Sequence, residues 1–174
     1  MTSKAKGRQN DLSGPEFPDD FVDFVHELNA YAVEYVLVGG YAMGVHGHVR
    51  ATTDIDFFYR PTTENVARLV GALQSFGAPA FVIDPVHLAT AGNMAAFGAP
   101  PTRIDMLASI DGVSFDEAAV GALHVDVDGE TLPVIGLDAL RANKKASGRP
   151  KDLDDVKRLS APKRHRTAKK KPKP

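Results

Sequence analysis

The stretch LVGGYAMGVHGHVRATTDIDFF, residues 37–58, decides the fold of this chain. It starts in a short apolar strand predicted at Tyr35–Val38 and passes through Gly39 and Gly40 into a short helix predicted to end near His46. Glycines at a strand-to-helix junction let a ligand approach the backbone, although a tight turn alone also explains such a pair. The segment that follows, TTDIDFFY, has the β-branched and aromatic bias of a strand.

Three aspartates stand where a strand normally carries apolar residues. Asp54 and Asp56 are two positions apart, so both side chains point to one face of the predicted strand. Asp105 lies in a second apolar segment, residues 103–108, which also predicts a strand. Neighbouring carboxylates repel one another unless a cation lies between them, and carboxylate oxygens suit Mg²⁺ or Mn²⁺. The aspartates therefore predict a divalent metal site, and the alternative is an exposed strand edge with solubilising acids.

Hydrophobic periodicity and turn residues predict the remaining elements. Helices are predicted at 18–30, 63–77, 115–120, 137–146 and 152–159, a strand at 81–83, and a hairpin over 123–134 that turns at Asp128-Gly129. Residues 84–100 are rich in Ala, Gly and Pro and are expected to loop around the site. Ile55 and Phe57 are expected to face a core. The order predicts one α/β (α+β) domain over residues 16–160, with a small mixed sheet flanked by helices.

The composition narrows the class of protein. A chain of 174 residues suits one domain, and a hydrophobic content of 43% is enough for a core. The absence of cysteine excludes thiolate metal sites and fits a reducing compartment. The sequence has neither a long apolar run nor a signal-peptide pattern, so we expect a cytoplasmic protein.

The two ends differ in charge from the rest of the chain. Residues 1–10 and 161–174 contain basic residues and no acidic ones, whereas residues 11–160 contain 11 basic and 22 acidic residues, a net charge of −11. An acidic body argues against broad binding of nucleic acid. Residues 1–15 and 161–174 are expected to be disordered basic ends, and the alternative is that they bind an anionic partner.

Residues 37–58, together with Asp105, resemble the nucleotidyltransferase superfamily with the DNA polymerase β-like fold. In that superfamily a Gly-Gly or Gly-Ser pair opens a helix, an Asp-x-Asp pair follows on the next strand, and a third carboxylate lies on a later strand. The segment NKKASGRPKDLDD, residues 143–155, is similar to the lysine-bearing helix and R-x-K-D turn of small bacterial stand-alone members, including toxin–antitoxin-associated ones. Gly40 departs from the pattern, since many active members carry serine there.

The resemblance implies a Mg²⁺-dependent (or Mn²⁺-dependent) enzyme that moves a nucleotidyl group from an NTP, such as ATP, to a protein, RNA or small-molecule acceptor. Asp54, Asp56 and Asp105 would be the catalytic and metal-binding residues: Asp54 and Asp56 would hold one metal ion at the phosphates, and all three would hold a second. Asp105 would also be a candidate general base. The nucleotide would be bound by Gly39, Gly40, Tyr41, Arg50, Lys144, Arg149 and Lys151. For the last three, the alternative is the solvated end of a helix.

Two further expectations concern function. The alternative to an enzyme is a non-catalytic antitoxin or regulatory partner that keeps the fold and docks to another protein. An antibiotic-modifying enzyme would usually need a larger acceptor domain than this chain offers. His46 and His48 form an HxH pair, and we expect both to be exposed polar loop residues and not zinc ligands.

Overall fold

The computed structural model describes residues 16–160, so the predictions of disorder for residues 1–15 and 161–174 lie outside it. The helices of this part are α1 (Asp19–Ala30), α2 (Gly39–Val45), α3 (Thr63–Phe76), α4 (Pro85–Ala89), α5 (Phe115–Val120), α6 (Leu137–Ser147) and α7 (Pro150–Ser160). The strands are β1 (Tyr35–Val38), β2 (Asp54–Tyr59), β3 (Met94–Phe97), β4 (Arg103–Leu107), β5 (Leu123–Val127) and β6 (Glu130–Val134). None of the helices within residues 16–160 combines the length and apolar character needed to cross a lipid bilayer.

The strands form one mixed sheet in the order β3-β4-β2-β1-β6-β5, which confirms the predicted fold class. β2 pairs in parallel with β4, and β1 pairs in parallel with β6, while the other neighbours are antiparallel. The register between β2 and β4 sets Asp56 opposite Asp105 and Asp54 opposite Arg103. Two strands that are distant in sequence thus present their acidic residues side by side.

The alternation along β2 separates the hydrophobic core from the site. Ile55 and Phe57 are fully buried, as predicted, and the Phe57 ring stacks on Phe21 of α1 at 5.3 Å between centroids. On the opposite face, Phe58 packs edge-on against Phe115 of α5 at 5.3 Å. The odd-numbered side chains of β2 therefore face the core, and Asp54 and Asp56 lie on the opposite face, on the same side as Phe58.

Local turn and cap residues fix where several elements begin and end. The Thr62 side chain accepts a hydrogen bond from the Asn65 N–H at the start of α3, and Gly77 ends that helix in the left-handed conformation. Asp128 and Gly129 both have positive φ, 52° and 91°, as a two-residue hairpin turn requires. The predicted hairpin is thus confirmed, and its turn residues explain its register.

Two predictions from the middle of the chain were wrong. Residues 80–82 form a 3₁₀ turn and not a strand. The side chain of Phe81 is 78% exposed, so it does not belong to a buried strand. Residues 84–100 contain α4 and β3 and are not simply a loop. Asp84 caps α4 by accepting from the Val86 N–H at 2.9 Å, and β3 pairs with β4 along the edge of the sheet.

The expected exposure of His46 was also wrong. Its side chain is only 9% exposed, and its Nε2 atom lies 2.8 Å from the Ile135 carbonyl oxygen. His46 directly follows the last residue of α2, and its ring lies against the segment after β6. His48 is half-buried, and neither histidine belongs to a potential metal-binding group within the described chain.

Candidate functional site

The three predicted aspartates converge on one face of the sheet. Each of Asp54, Asp56 and Asp105 offers a carboxylate oxygen within 4.8 Å of the other two, and no other such group of three occurs between residues 16 and 160. Asp105 is only 3% exposed, whereas the other two are half-buried. A compact set of carboxylate oxygens fits a hard divalent cation such as Mg²⁺ or Mn²⁺.

Gly39 and Gly40 make room for side chains of the site. Gly39 has a φ of +68°, and a Cβ there would lie 2.0 Å from Oδ2 of Asp56. A Cβ at Gly40 would lie 2.8 Å from Oγ1 of Thr52, which in turn donates to Oδ1 of Asp54 at 2.9 Å. The pair is therefore required by close packing against β2 and its approach segment, which the sequence alone did not indicate.

Arg103 is a residue of the site that the sequence analysis missed. Its Nε donates to Oδ1 of Asp105 at 2.8 Å, and its Nη2 donates to Oδ2 of the same carboxylate at 2.7 Å. The same Nη2 also donates to Oδ2 of Asp54 at 3.1 Å. The signal was present, because Arg103 precedes Asp105 by two positions on one strand and so shares its face.

Asp56 is the least compensated of the three carboxylates. Between residues 16 and 160 no side chain donates a hydrogen bond to it, in contrast to Asp54 and Asp105. Burial, and then the charges of Asp54 and Asp105, raise the pKa of Asp56 to about 6, against the opposing charges of Lys144 and Lys151. The site therefore lacks positive charge at the position where Asp56 lies.

A second group of charges lies at the junction of α6 and α7. Lys144 is 4% exposed and donates from Nζ to Oδ1 of Asp152 at 2.7 Å, with Oδ2 of Asp155 at 3.2 Å. Ser147 and Arg149 donate to Oδ2 of Asp152 at 2.6 and 2.5 Å. Burial alone would raise the pKa of Asp152, but hydrogen bonds from Lys144, Ser147 and Arg149 outweigh it and lower that pKa to about 2.

Arg50 ties this junction to the approach of β2. Its Nε lies 3.3 Å from Oδ2 of Asp155, whose side chain is almost fully buried. Lys144 is therefore a buried member of an ion-pair network and not the solvated helix end considered above, whereas Arg149 and Lys151 are exposed. We call the set Arg50, Lys144, Arg149, Asp152 and Asp155 the α6–α7 network.

A cleft of about 470 Å³ separates the three aspartates from the α6–α7 network. The predicted site residues that line it are Gly39, Gly40, Arg50, Asp54, Asp56, Asp105, Lys144, Arg149 and Lys151. Thr52, Arg103 and Ser147 also line it and were not predicted. Tyr41, predicted to contribute its main-chain amide, is not among the lining residues, and its ring stacks on Phe17 and Phe21 at 5.5 and 5.9 Å between centroids.

Comparison with known proteins supports the fold and goes no further. No protein-family model and no curated protein sequence matches the chain. Among solved structures, the chain is similar to ANT(2″)-Ia in complex with adenylyl-2″-tobramycin, with a TM-score of 0.50 and 13% sequence identity. The match covers 79% of this chain and 83% of that one, a nucleotidyltransferase. The fold is therefore nucleotidyltransferase-like.

Proposed function

We propose that this protein is a divalent-metal-dependent nucleotidyltransferase that uses an NTP as donor. The observation that carries the proposal is the convergence of Asp54, Asp56 and Asp105 on a cleft whose opposite side carries cationic side chains. Carboxylates suit a metal ion, and lysine and arginine suit the phosphates that such a metal accompanies. The similarity in fold to the structure with adenylyl-2″-tobramycin supports the same assignment.

The cationic side of the cleft fits a triphosphate. Lys144 is oriented by two buried carboxylates, so its ammonium group is held in place before any ligand arrives. Arg149 and Lys151 follow on the α6–α7 turn, and both are exposed and line the same cleft. One fixed and two exposed cations give a strongly anionic ligand both a defined anchor and adjustable contacts.

The proposed reaction is an in-line displacement at the α-phosphorus. A hydroxyl oxygen of the acceptor bonds to this phosphorus, the bond from it to the oxygen that bridges to the β-phosphorus breaks, and pyrophosphate leaves. The hydroxyl proton passes to a base, for which Asp105 is the candidate once Arg103 releases it. Asp54 and Asp56 would hold the metal ion, which supplies charge stabilisation for the transferred group and the leaving oxygen.

The acceptor is a protein, an RNA or a small molecule. ANT(2″)-Ia was solved with adenylyl-2″-tobramycin, a small molecule, and the similarity covers 83% of that chain and 79% of this one. A small-molecule acceptor therefore does not require a chain much longer than this one. A long RNA is the least favoured acceptor, since residues 11–160 carry a net charge of −11.

The test is transfer of label from the α-phosphate. The purified protein is incubated with each NTP labelled at the α- or the γ-phosphorus, with Mg²⁺ or with EDTA, and with a lysate as the source of acceptors. We expect Mg²⁺-dependent incorporation of the α-label only, and its loss in Asp56→Asn but not in Asp23→Asn, an exposed aspartate of α1. Incorporation of γ-label would indicate a kinase and contradict the proposal.

A non-catalytic binding partner is the second candidate, and the contacts of Arg103 favour it. A guanidinium group that permanently occupies Asp105 would leave the fold intact and the chemistry disabled. In that case Asp105→Asn would leave the biological effect unchanged in the native host. Loss of the effect in a folded Asp105→Asn protein, together with loss of transfer in vitro, would exclude this candidate.

A further inference from the structure

Arg103 already occupies part of the acidic site. Both oxygens of Asp105 accept hydrogen bonds from its guanidinium group, at 2.8 and 2.7 Å, in a bidentate pair. The third contact, 3.1 Å to Oδ2 of Asp54, extends the guanidinium group across to β2. Arg103 thus connects β4 to β2, in a register that sets Arg103 opposite Asp54 and Asp105 opposite Asp56.

The net charge of the site balances the charge of one divalent cation. Three ionised aspartates carry −3, and Arg103 contributes +1, so the group has a net charge of −2. A second divalent ion would have to bind at Asp105, whose two oxygens are already engaged by a cation. Like charges at such short range oppose one another strongly in a half-buried site.

Asp56 is the carboxylate left for the metal. It accepts no hydrogen bond from a side chain of the described residues, and it lines the cleft beside Gly39. Asp54 shares one oxygen with Arg103 and the other with Thr52, whose hydroxyl group can rotate away. An incoming cation therefore meets Asp56 first and Asp54 second.

We infer that Arg103 serves as the second cation of this site: it holds Asp105 and Asp54, so that the protein binds one divalent metal ion, at Asp56 and Asp54. The inference rests on the proposed function, because it concerns the metal of that same site. It makes Arg103 a positioning residue that determines how many metal ions bind. Asp105 gains a metal or accepts a proton only when the guanidinium group moves toward solvent, which is feasible for a side chain 37% exposed.

The experiment counts bound metal ions without measuring transfer. MnCl₂ alone is titrated into the full chain, and free Mn²⁺ is followed by electron paramagnetic resonance. We expect one bound ion in the wild type and two in Arg103→Gln. In Arg103→Gln/Asp105→Asn the second ion should be lost again. Arg158→Gln, an exposed arginine of α7, is the matched control and should bind one ion.

The outcomes separate this inference from the proposed function. Two ions in the wild type, or one in a folded Arg103→Gln protein, would overturn the role of Arg103 and leave the nucleotidyltransferase proposal standing. No bound ion, with or without a non-hydrolysable NTP, would overturn both. If Arg103→Gln does not fold, the double variant Arg103→Gln/Asp105→Asn decides, because it keeps the net charge of the group at −2: we expect its Mn²⁺ affinity to differ from the wild type by less than about tenfold. A loss of about tenfold or more would show that Asp105 ligates the first ion.

Discussion

Asp56 and Asp152 lie on opposite sides of one cleft, and their pKa values are shifted in opposite directions. The pKa of Asp56 is raised to about 6, and that of Asp152 is lowered to about 2. Asp152 is fully buried and accepts hydrogen bonds from Lys144, Ser147 and Arg149, whereas Asp56 accepts none from a described side chain. Burial raises the pKa of both carboxyl groups, and only at Asp152 do hydrogen-bond donors and the charge of Lys144 outweigh it.

This difference distinguishes a structural ion-pair network, on one side of the cleft, from a candidate binding site on the other. The α6–α7 network is internally compensated, so its acids serve to hold Lys144 and Arg50 at the cleft. The three aspartates of the sheet have one cation, Arg103, for three negative charges. A charge deficit of this kind destabilises the protein unless a ligand supplies positive charge, which is typical of a binding site.

The largest expected effect comes from breaking the compensated side. Lys144→Met leaves Asp152 and Asp155 buried without their shared cation, and loss of one partner of a buried pair costs about 3–5 kcal/mol of unfolding free energy. Lys145→Met is the matched control, because the neighbouring lysine is exposed and should change stability by less than about 0.5 kcal/mol. Urea denaturation measures both. Equal effects of the two substitutions would show that the network contributes no stability.

On the uncompensated side of the cleft, removal of a charge should stabilise the protein. Asp56 has a folded-state pKa of about 6, above the unfolded value of about 4, so its stability contribution is complete below pH 4 and is lost as the pH rises through 6. Asp56→Asn should therefore stabilise the metal-free protein at pH 8 by about 2–3 kcal/mol and have little effect at pH 4. Urea denaturation in EDTA at both pH values measures the difference.

A bound metal ion should reverse the order of stability of Asp56→Asn and the wild type. Mg²⁺ or Mn²⁺ together with an NTP should raise the melting temperature of the wild type, since a ligand that binds only the folded state stabilises it. Asp56→Asn should lose most of this increase. If Asp56→Asn is less stable than the wild type at pH 8 in EDTA, unbalanced negative charge at Asp56 does not destabilise the metal-free protein.

The sequence predicted the acidic side of the cleft better than the cationic side. Alternation of Asp54, Ile55 and Asp56 identifies a strand face from three residues, because the period of a strand is two. The burial of Lys144 could not be predicted, since its partners come from the next helix and the local pattern resembles a solvated helix end. Arg103 was not predicted, because an arginine in a strand is usually solvated, and only the structure shows its contacts to Asp105 and Asp54.

The edge of the sheet was the least predictable part of the fold. β3 is four residues long, MAAF, and contains two alanines with weak strand preference, so its pairing with β4 and the packing of Phe97 on Phe24 stabilise it. α4 has five residues, and its one clear sequence signal, Asp84 followed by Pro85, is typical of a helix start. Tertiary contacts, which a single sequence does not display, decide such short elements.

A smaller effect should appear in acid. The folded-state pKa of Asp152, about 2, lies below the unfolded value of about 4, so its contribution is complete above pH 4 and is lost as the pH falls through 2. Asp152→Asn should be about 2 kcal/mol less stable than the wild type at pH 7, and this deficit should shrink between pH 4 and pH 2. Asp154→Asn, whose exposed pair with Lys157 contributes little, is the control. A deficit independent of pH would contradict the ion-pair account.

The smallest difference in stability between a variant and its control, together with a specific change in metal binding, is expected at Gly39. Gly39→Ala and Gly47→Ala both place a Cβ on a residue with positive φ, +68° and +89°, so they share the backbone strain of about 1 kcal/mol. Only at Gly39 does the new Cβ meet another side chain, Oδ2 of Asp56 at 2.0 Å, whereas nothing lies within 4 Å of it at Gly47. The Asp56 carboxylate can rotate aside, so the additional loss of unfolding free energy should be about 1 kcal/mol.

The rotated carboxylate no longer faces the cation site, and Mn²⁺ affinity should fall by about tenfold or more in Gly39→Ala alone. Equal Mn²⁺ affinity in the two folded variants would mean that Asp56, in the position it has beside Gly39, does not bind the metal.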